Sequence, residues 1–120
     1  MLVNLLPLTE DTRDILNHHH LGQLQAGAYI INVARGAHLV DADLLALLDS
    51  GHLAGATLDV FRTEPLPPDH PFWQRPEITI TPHTSARTLR EDSIAQIAFK
   101  IEALAQGKPV AGQVNPARGY

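Results

Sequence analysis

Arg35 closes the apolar run AYIINVARG (Ala28 to Gly36), and Asp59 stands near the end of ATLDV (Ala56 to Val60). Glu64 lies in the FRTEP segment that follows, and His83 comes directly after ITITP (Ile78 to Pro82). Arginine carries a permanent charge and a planar fork of donors, so the end of a strand that reads as buried is a costly place for it unless an anion meets it there. The chain has no cysteine. Thiolate nucleophiles, disulfides and zinc-thiolate sites are therefore excluded, and glutamate, histidine and arginine must carry any chemistry. Each residue also has a plainer reading. Arg35 could pair with a structural carboxylate, His83 could cap a helix or sit satisfied in a core, Glu64 could be a solvated loop charge, and Asp59 could cap a turn. All these plainer readings would have to hold together.

The elements that must position these residues are legible from apolar patterning. LVNLL (Leu2 to Leu6) is a short run ended by Pro7, and Thr9 to Gln25 has the polar start and leucine spacing of one or two short helices. AYIINV (Ala28 to Val33) is apolar on both faces, as expected of a parallel strand covered on both sides. Asp41 is placed to cap a helix through DADLLALLDSG, with Gly51 as its terminator. ATLDV and ITITP read as further strands, and Ile94, Ile97, Ala98, Ile101, Leu104 and Ala105 keep helical spacing between Leu89 and Gln106. Strands alternating with helices predict an α/β fold with a parallel sheet. Ligands of such sheets bind beyond the carboxyl ends of the strands, where Arg35, Asp59 and His83 all fall.

Composition narrows the class. Of the 120 residues 44% are hydrophobic and 18% charged, which is enough for one core. The formal charge of -4, with scattered basic residues, offers no footprint for nucleic acid or an anionic membrane. No apolar run approaches the roughly 18 residues of a membrane span, and the apolar N-terminus lacks a basic leader, so a cytoplasmic chain is expected. His18, His19 and His20 are consecutive, so their side chains diverge and no metal site is expected. Trp73 reads as an anchor that packs its proline-rich loop.

NVARG, LDVFRTEPLP (Leu58 to Pro67) and ITPHTSA (Ile80 to Ala86), in that order and spacing, resemble the C-terminal half of the nucleotide-binding domain of D-isomer-specific 2-hydroxyacid dehydrogenases. LLPLT, HPFWQRPEITITPH and the closing GQVNPARGY resemble that family's glyoxylate/hydroxypyruvate reductase A type, and the likeness runs over essentially the whole chain. The resemblance implies that Arg35 binds the carboxylate and carbonyl oxygen of a small 2-oxo acid, that His83 is the general acid, and that Glu64 pairs with His83, fixing the ring and favouring its protonated form. It implies cofactor contacts for Leu6, Pro7, Thr12, Val33, Ala34, Arg35, Asp59, His83, Thr84, Ser85 and Ala86, with Asp59 accepting from the nicotinamide amide. It also places the Trp73 loop near the substrate. The cofactor is NADP or NAD, the resemblance favouring NADP.

The expected architecture is thus the C-terminal half of a Rossmann-like doubly wound parallel sheet with flanking helices. Residues 1–106 would be a partial dinucleotide-binding domain, and 107–120 a tail that packs on a substrate domain not represented here. No two glycines stand two apart, so there is no GxGxxG and no acidic or basic residue placed after it to read the ribose. The sequence reads as the second half of an enzyme whose exposed sheet edge would favour self-association. An alternative from another class is a dinucleotide-responsive interaction module like the C-terminal-binding corepressors, which keep a similar Arg, Glu and His set; an inactive truncated fragment is a further alternative.

Overall fold

The computed structural model describes residues 1–86 and 88–117; Arg87 lies outside the described residues, as do Arg118, Gly119 and Tyr120, which close the GQVNPARGY resemblance. The chain forms two units, Met1–Ser85 and Ala86–Tyr120. The first contains strands β1 (Leu2–Asn4), β2 (Ala28–Asn32), β3 (Leu53–Leu58) and β4 (Ile78–Ile80), and helices α1 (His18–Gly22) and α2 (Asp41–Asp49). Two short 3-10 turns, Gly36–His38 and Pro71–Gln74, complete it.

The strands pair in the order β1-β2-β3-β4, all parallel, so each crossover returns the chain beside the strand it has just left. Register is definite: Asn4 faces Asn32, Ile30 faces Ala56, and Leu58 faces Ile80. Ile30 is fully buried with Leu44, Leu58, Ala56 and Leu21, while Phe72 and Ile78 close the same cluster. Helix α1 packs on α2, and α2 on β3. Each fully buried leucine removes enough apolar area to be worth roughly 1.5–3 kcal/mol, so the cluster is the main force holding the strand ends in place.

Several boundaries differ from the sequence pattern. β3 begins at Leu53, before Gly55, and ends before Asp59, so the carboxylate lies just beyond the strand. Gly55 extends that strand because its missing Cβ leaves room for the Tyr29 ring and the Glu77 carbonyl. β2 alternates, with Ile30 and Asn32 buried but Tyr29 and Ile31 only partly so, which makes one face of this unit the packed one. Between Thr9 and Gln25 only α1 is helical; its first turn is capped by Asn17 Oδ1, which accepts from the His20 amide at 3.1 Å. Asp41 is the first helical residue of α2 and not its cap, and its carboxylate lies 3.5 Å from His70 Nε2. Burial pushes the Asp41 carboxyl up, opposed by His70 and Arg62. Gly51, with φ of 70°, ends α2 as the pattern expects.

In the second unit α3 spans Arg90–Ala105, one residue short at each end of the expected span. Glu91 and Asp92 stand in its first turn, where the helix dipole favours acids. Gly107 ends it, its amide donating to the Leu104 carbonyl at 3.0 Å.

Candidate active site

The carboxyl ends of the strands open onto the loops that carry the predicted residues. After β2 the chain turns at Val33, Ala34 and Arg35 into the 3-10 turn at Gly36. Gly36 is required by close approach: a Cβ there would lie 1.9 Å from the Phe61 carbonyl carbon and 2.4 Å from the Arg62 nitrogen. That contact brings the arginine loop against the Phe61–Glu64 loop. Arg62 then pins the second loop by donating to the Leu39 carbonyl and to Asp14.

Glu64 and His83 meet. His83 Nδ1 lies 2.8 Å from Glu64 Oε2, while the Phe61 amide donates to Glu64 Oε1 at 2.9 Å. The Glu64 carboxyl is held below the ordinary carboxylate value, first by the hydrogen bond from His83 and then by the Phe61 amide; partial burial opposes, and the Arg35 guanidinium adds a smaller pull in the same direction. Because Nδ1 faces the carboxylate, Nε2 is the ring atom left to exchange a proton with a ligand.

Arg35 is exposed, so the expectation that burial makes it costly does not hold. One contact holds it, Nη1 donating to the Ala34 carbonyl at 2.6 Å, and among the described residues it forms no ion pair. Glu64 feels its field yet bonds His83, which leaves the guanidinium fork free for an anion.

His83 itself has φ of 54°, a left-handed conformation uncommon for a residue with a side chain. Asp59 holds the turn that carries it. This carboxylate is fully buried; Oδ1 accepts from the Thr81 hydroxyl and from the Thr84 amide at 2.9 Å, and Oδ2 accepts from the Ser85 amide at 2.9 Å. Burial pushes its pKa up, but these hydrogen bonds outweigh that and hold the group well below the usual carboxylate range. Asp59 thus caps a turn, the plainer of the two roles the sequence offered for it.

Beside the His83–Glu64 pair is a cavity of about 450 Å³, walled by Phe61, Leu66, Trp73 and Ile80. Trp73 is half exposed and anchors its loop through a hydrogen bond from its indole nitrogen to the Pro67 carbonyl at 2.8 Å, as well as lining this cavity. Its loop is therefore both tethered and beside the His83–Glu64 pair.

The remaining predicted residues lie at the neighbouring strand ends. Leu6 is 43% exposed, Pro7 is also exposed, Val33 is partly buried and Ala34 buried. The Thr12 hydroxyl is engaged inside its own loop, donating to the Pro7 carbonyl at 2.7 Å and accepting from the Thr9 amide at 2.8 Å. Thr84 and Ser85 use their amides on Asp59, and Ala86 begins the second unit. The histidine triplet bonds locally: His20 Nδ1 lies 2.8 Å from the Ile15 carbonyl, and His19 Nε2 lies 2.9 Å from Gln23 Nε2. Sequence reasoning missed Asn4, Asn32 and His38, all buried beneath these loops. An asparagine at the same end of each of two apolar strands was the available signal.

Residues 1–85 match the family model described as D-isomer specific 2-hydroxyacid dehydrogenase, NAD binding domain. The chain is 55% identical to a glyoxylate/hydroxypyruvate reductase A of Serratia proteamaculans and 52% identical to one of Yersinia enterocolitica. All of this chain aligns in both cases, and it spans 38% of the length of each relative. Among solved structures, a D-isomer specific 2-hydroxyacid dehydrogenase of Xanthobacter autotrophicus in complex with NADPH superposes with a TM-score of 0.93 at 45% identity, over 98% of this chain and 49% of the other. An NADPH-dependent glyoxylate/hydroxypyruvate reductase of Sinorhizobium meliloti, in complex with NADP and sulfate, gives 0.92 at 41% identity over 98% of this chain and 39% of the other.

Proposed function

The chain belongs to the D-isomer specific 2-hydroxyacid dehydrogenase family, within its NAD-binding domain, and from that premise we propose that it supplies the catalytic edge of an NAD(P)H-dependent reductase of small 2-oxo acids such as glyoxylate and hydroxypyruvate. The observation that carries this reading is the 2.8 Å His83–Glu64 pair beside a cavity, with a guanidinium on the adjoining loop that forms no ion pair among the described residues. Those are the parts that proton delivery and carboxylate capture need.

Residues present fit one end of a dinucleotide. Leu6 and Pro7 offer exposed apolar surface, Ala34 is small enough for close approach, and the Asp59-anchored turn presents His83, Thr84 and Ser85. Bound in reduced form, the cofactor would supply a hydride to the carbonyl carbon of the oxo acid. Asp59, fully buried under the Thr81, Thr84 and Ser85 donors, serves the cofactor end by holding that turn. Since the Xanthobacter and Sinorhizobium structures hold NADPH and NADP, NADP is favoured over NAD.

Arg35 grips the substrate carboxylate through two parallel hydrogen bonds, which fixes the orientation of the adjoining carbonyl. His83 gives the proton on Nε2 to the carbonyl oxygen as the carbon is reduced, leaving an alcohol; in the reverse direction Nε2 takes that proton back. Glu64, bonded to Nδ1, keeps the ring from rotating and favours positive charge on it before transfer. Trp73, Leu66 and Ile80 give the cavity beside the pair an apolar wall. The reductase name of both curated relatives favours this reading over a corepressor-like interaction module. Turnover of glyoxylate and hydroxypyruvate with NADPH and NADH, by a full-length subunit carrying this segment, tests it; no turnover of either acid with either cofactor refutes it.

A further inference from the structure

At the carboxyl ends of β1 and β2 Asn4 and Asn32 face each other in register, and both are buried together with His38 of the Gly36–His38 turn. Burying polar side chains so fully is unfavourable unless their atoms are bonded. Here the backbone fixes every orientation. The Leu6 amide can only donate, and it lies 3.2 Å from Asn4 Oδ1, so that atom is the side-chain carbonyl and the other is the amide nitrogen. The Ala34 amide does the same for Asn32 Oδ1 at 3.2 Å, which leaves Asn32 Nδ2 to donate to the Arg35 carbonyl at 3.2 Å. Asn4 Nδ2 then has two protons and two neighbours, Asn32 Oδ1 at 3.0 Å and His38 Nδ1 at 2.9 Å. His38 Nδ1 must accept. Its ring proton therefore sits on Nε2, 3.3 Å from the Pro7 carbonyl.

We propose that His38, Asn4 and Asn32 are positioning residues that form an uncharged relay from the Pro7 carbonyl to the Arg35 carbonyl. It ties the loop assigned to the cofactor to the backbone of the residue assigned to the substrate carboxylate. What Pro7 and Arg35 do rests on the reductase reading; the relay itself is a property of this chain. Because its members are neutral and touch main-chain atoms, the relay sets the spacing of the two loops without placing a second charge near the Arg35 guanidinium. A shift of about 1 Å in a gripping group can lower turnover on the order of a hundredfold, so such a spacer governs efficiency without touching the reacting atoms.

Two measurements test it. Long-range proton–nitrogen NMR on the 120-residue chain, with the signal assigned through His38→Asn, should show His38 protonated on Nε2 and bare on Nδ1; the opposite tautomer or a doubly protonated ring overturns the relay. For kinetics, this segment is joined to the N-terminal part of the Serratia relative. His38→Asn keeps an acceptor for Asn4 but releases Pro7, and Asn4→Leu breaks both links; each should raise KM for glyoxylate by roughly tenfold or more, beyond any fall in kcat. His38→Gln, which returns a donor toward Pro7, should recover part of the loss. Unchanged KM in Asn4→Leu and His38→Asn overturns the relay while the reductase reading stands. An unaltered chimera without glyoxylate turnover counts against the reductase reading, and the tautomer still decides the relay.

Discussion

At the His83–Glu64 pair, the proposed roles are those of a proton carrier and its holder. His83 Nδ1 is committed to Glu64, so replacing His83 with alanine in a full-length subunit should lower kcat on the order of 10²–10⁴-fold with a smaller change in KM, as measured by NADPH oxidation with glyoxylate. Arg35→Lys should act on the other parameter: a point charge cannot reproduce the planar fork, so KM should rise by roughly tenfold or more while the enzyme remains folded. Asp59 makes a third kind of contribution, since it holds the left-handed turn at His83 from beneath. Its folded pKa is depressed, as is that of Glu64, so the stability each adds is complete above the unfolded values of 3.8 and 4.5 and is lost as pH falls through the lower folded values. Urea unfolding midpoints should therefore drop on acidification below about pH 4.5, and Asp59→Asn should flatten that drop while costing about 1–3 kcal/mol at neutral pH, because an amide nitrogen would meet backbone donors. A midpoint independent of pH across that range would contradict the assignment.

Loop against loop, Gly36 decides where Arg35 lies relative to Glu64. Any side chain there meets the main chain of Phe61 and Arg62, which cannot move as a flexible side chain can. Gly36→Ala should therefore push the two loops apart, costing about 1–3 kcal/mol in the thermal or urea transition and lowering glyoxylate turnover even though no reacting residue is changed. A wild-type melting temperature for this variant would mean that the close approach is absent in solution. Elements whose signals are local were readable in advance: β2 from its apolar run, α2 and α3 from leucine and isoleucine spacing, and their ends from Gly51 and Gly107. The meeting of His83 with Glu64 was legible only through family motifs, since nothing in their spacing brings together two loops 19 residues apart. Asn4, Asn32 and His38 escaped because their tasks arise from register and burial, which pattern alone does not carry. Asp41 was misplaced by one residue because a carboxylate that packs toward His70 resembles a cap in sequence.

Taken as a whole, the chain presents a sheet with β1 at one edge, and that edge is apolar: Val3 is 43% exposed, and Met1 and Leu5 more so. An unpaired edge of this kind presents free backbone donors and acceptors to another chain. We propose that the 120-residue chain alone self-associates through β1, and its mass by light scattering should rise with concentration, whereas Val3→Lys should shift the distribution toward monomer. The same chain should hold NADPH poorly. The sequence has no GxGxxG to set a glycine-rich turn at a helix N-terminus for the pyrophosphate, and that interaction contributes much of a dinucleotide's affinity. Titration by fluorescence or calorimetry should give a Kd weaker than about 0.1 mM, whereas joining the N-terminal part of a relative should tighten it by several kcal/mol. Micromolar binding by the 120-residue chain would mean that the strand-end loops alone grip the cofactor, without a pyrophosphate site.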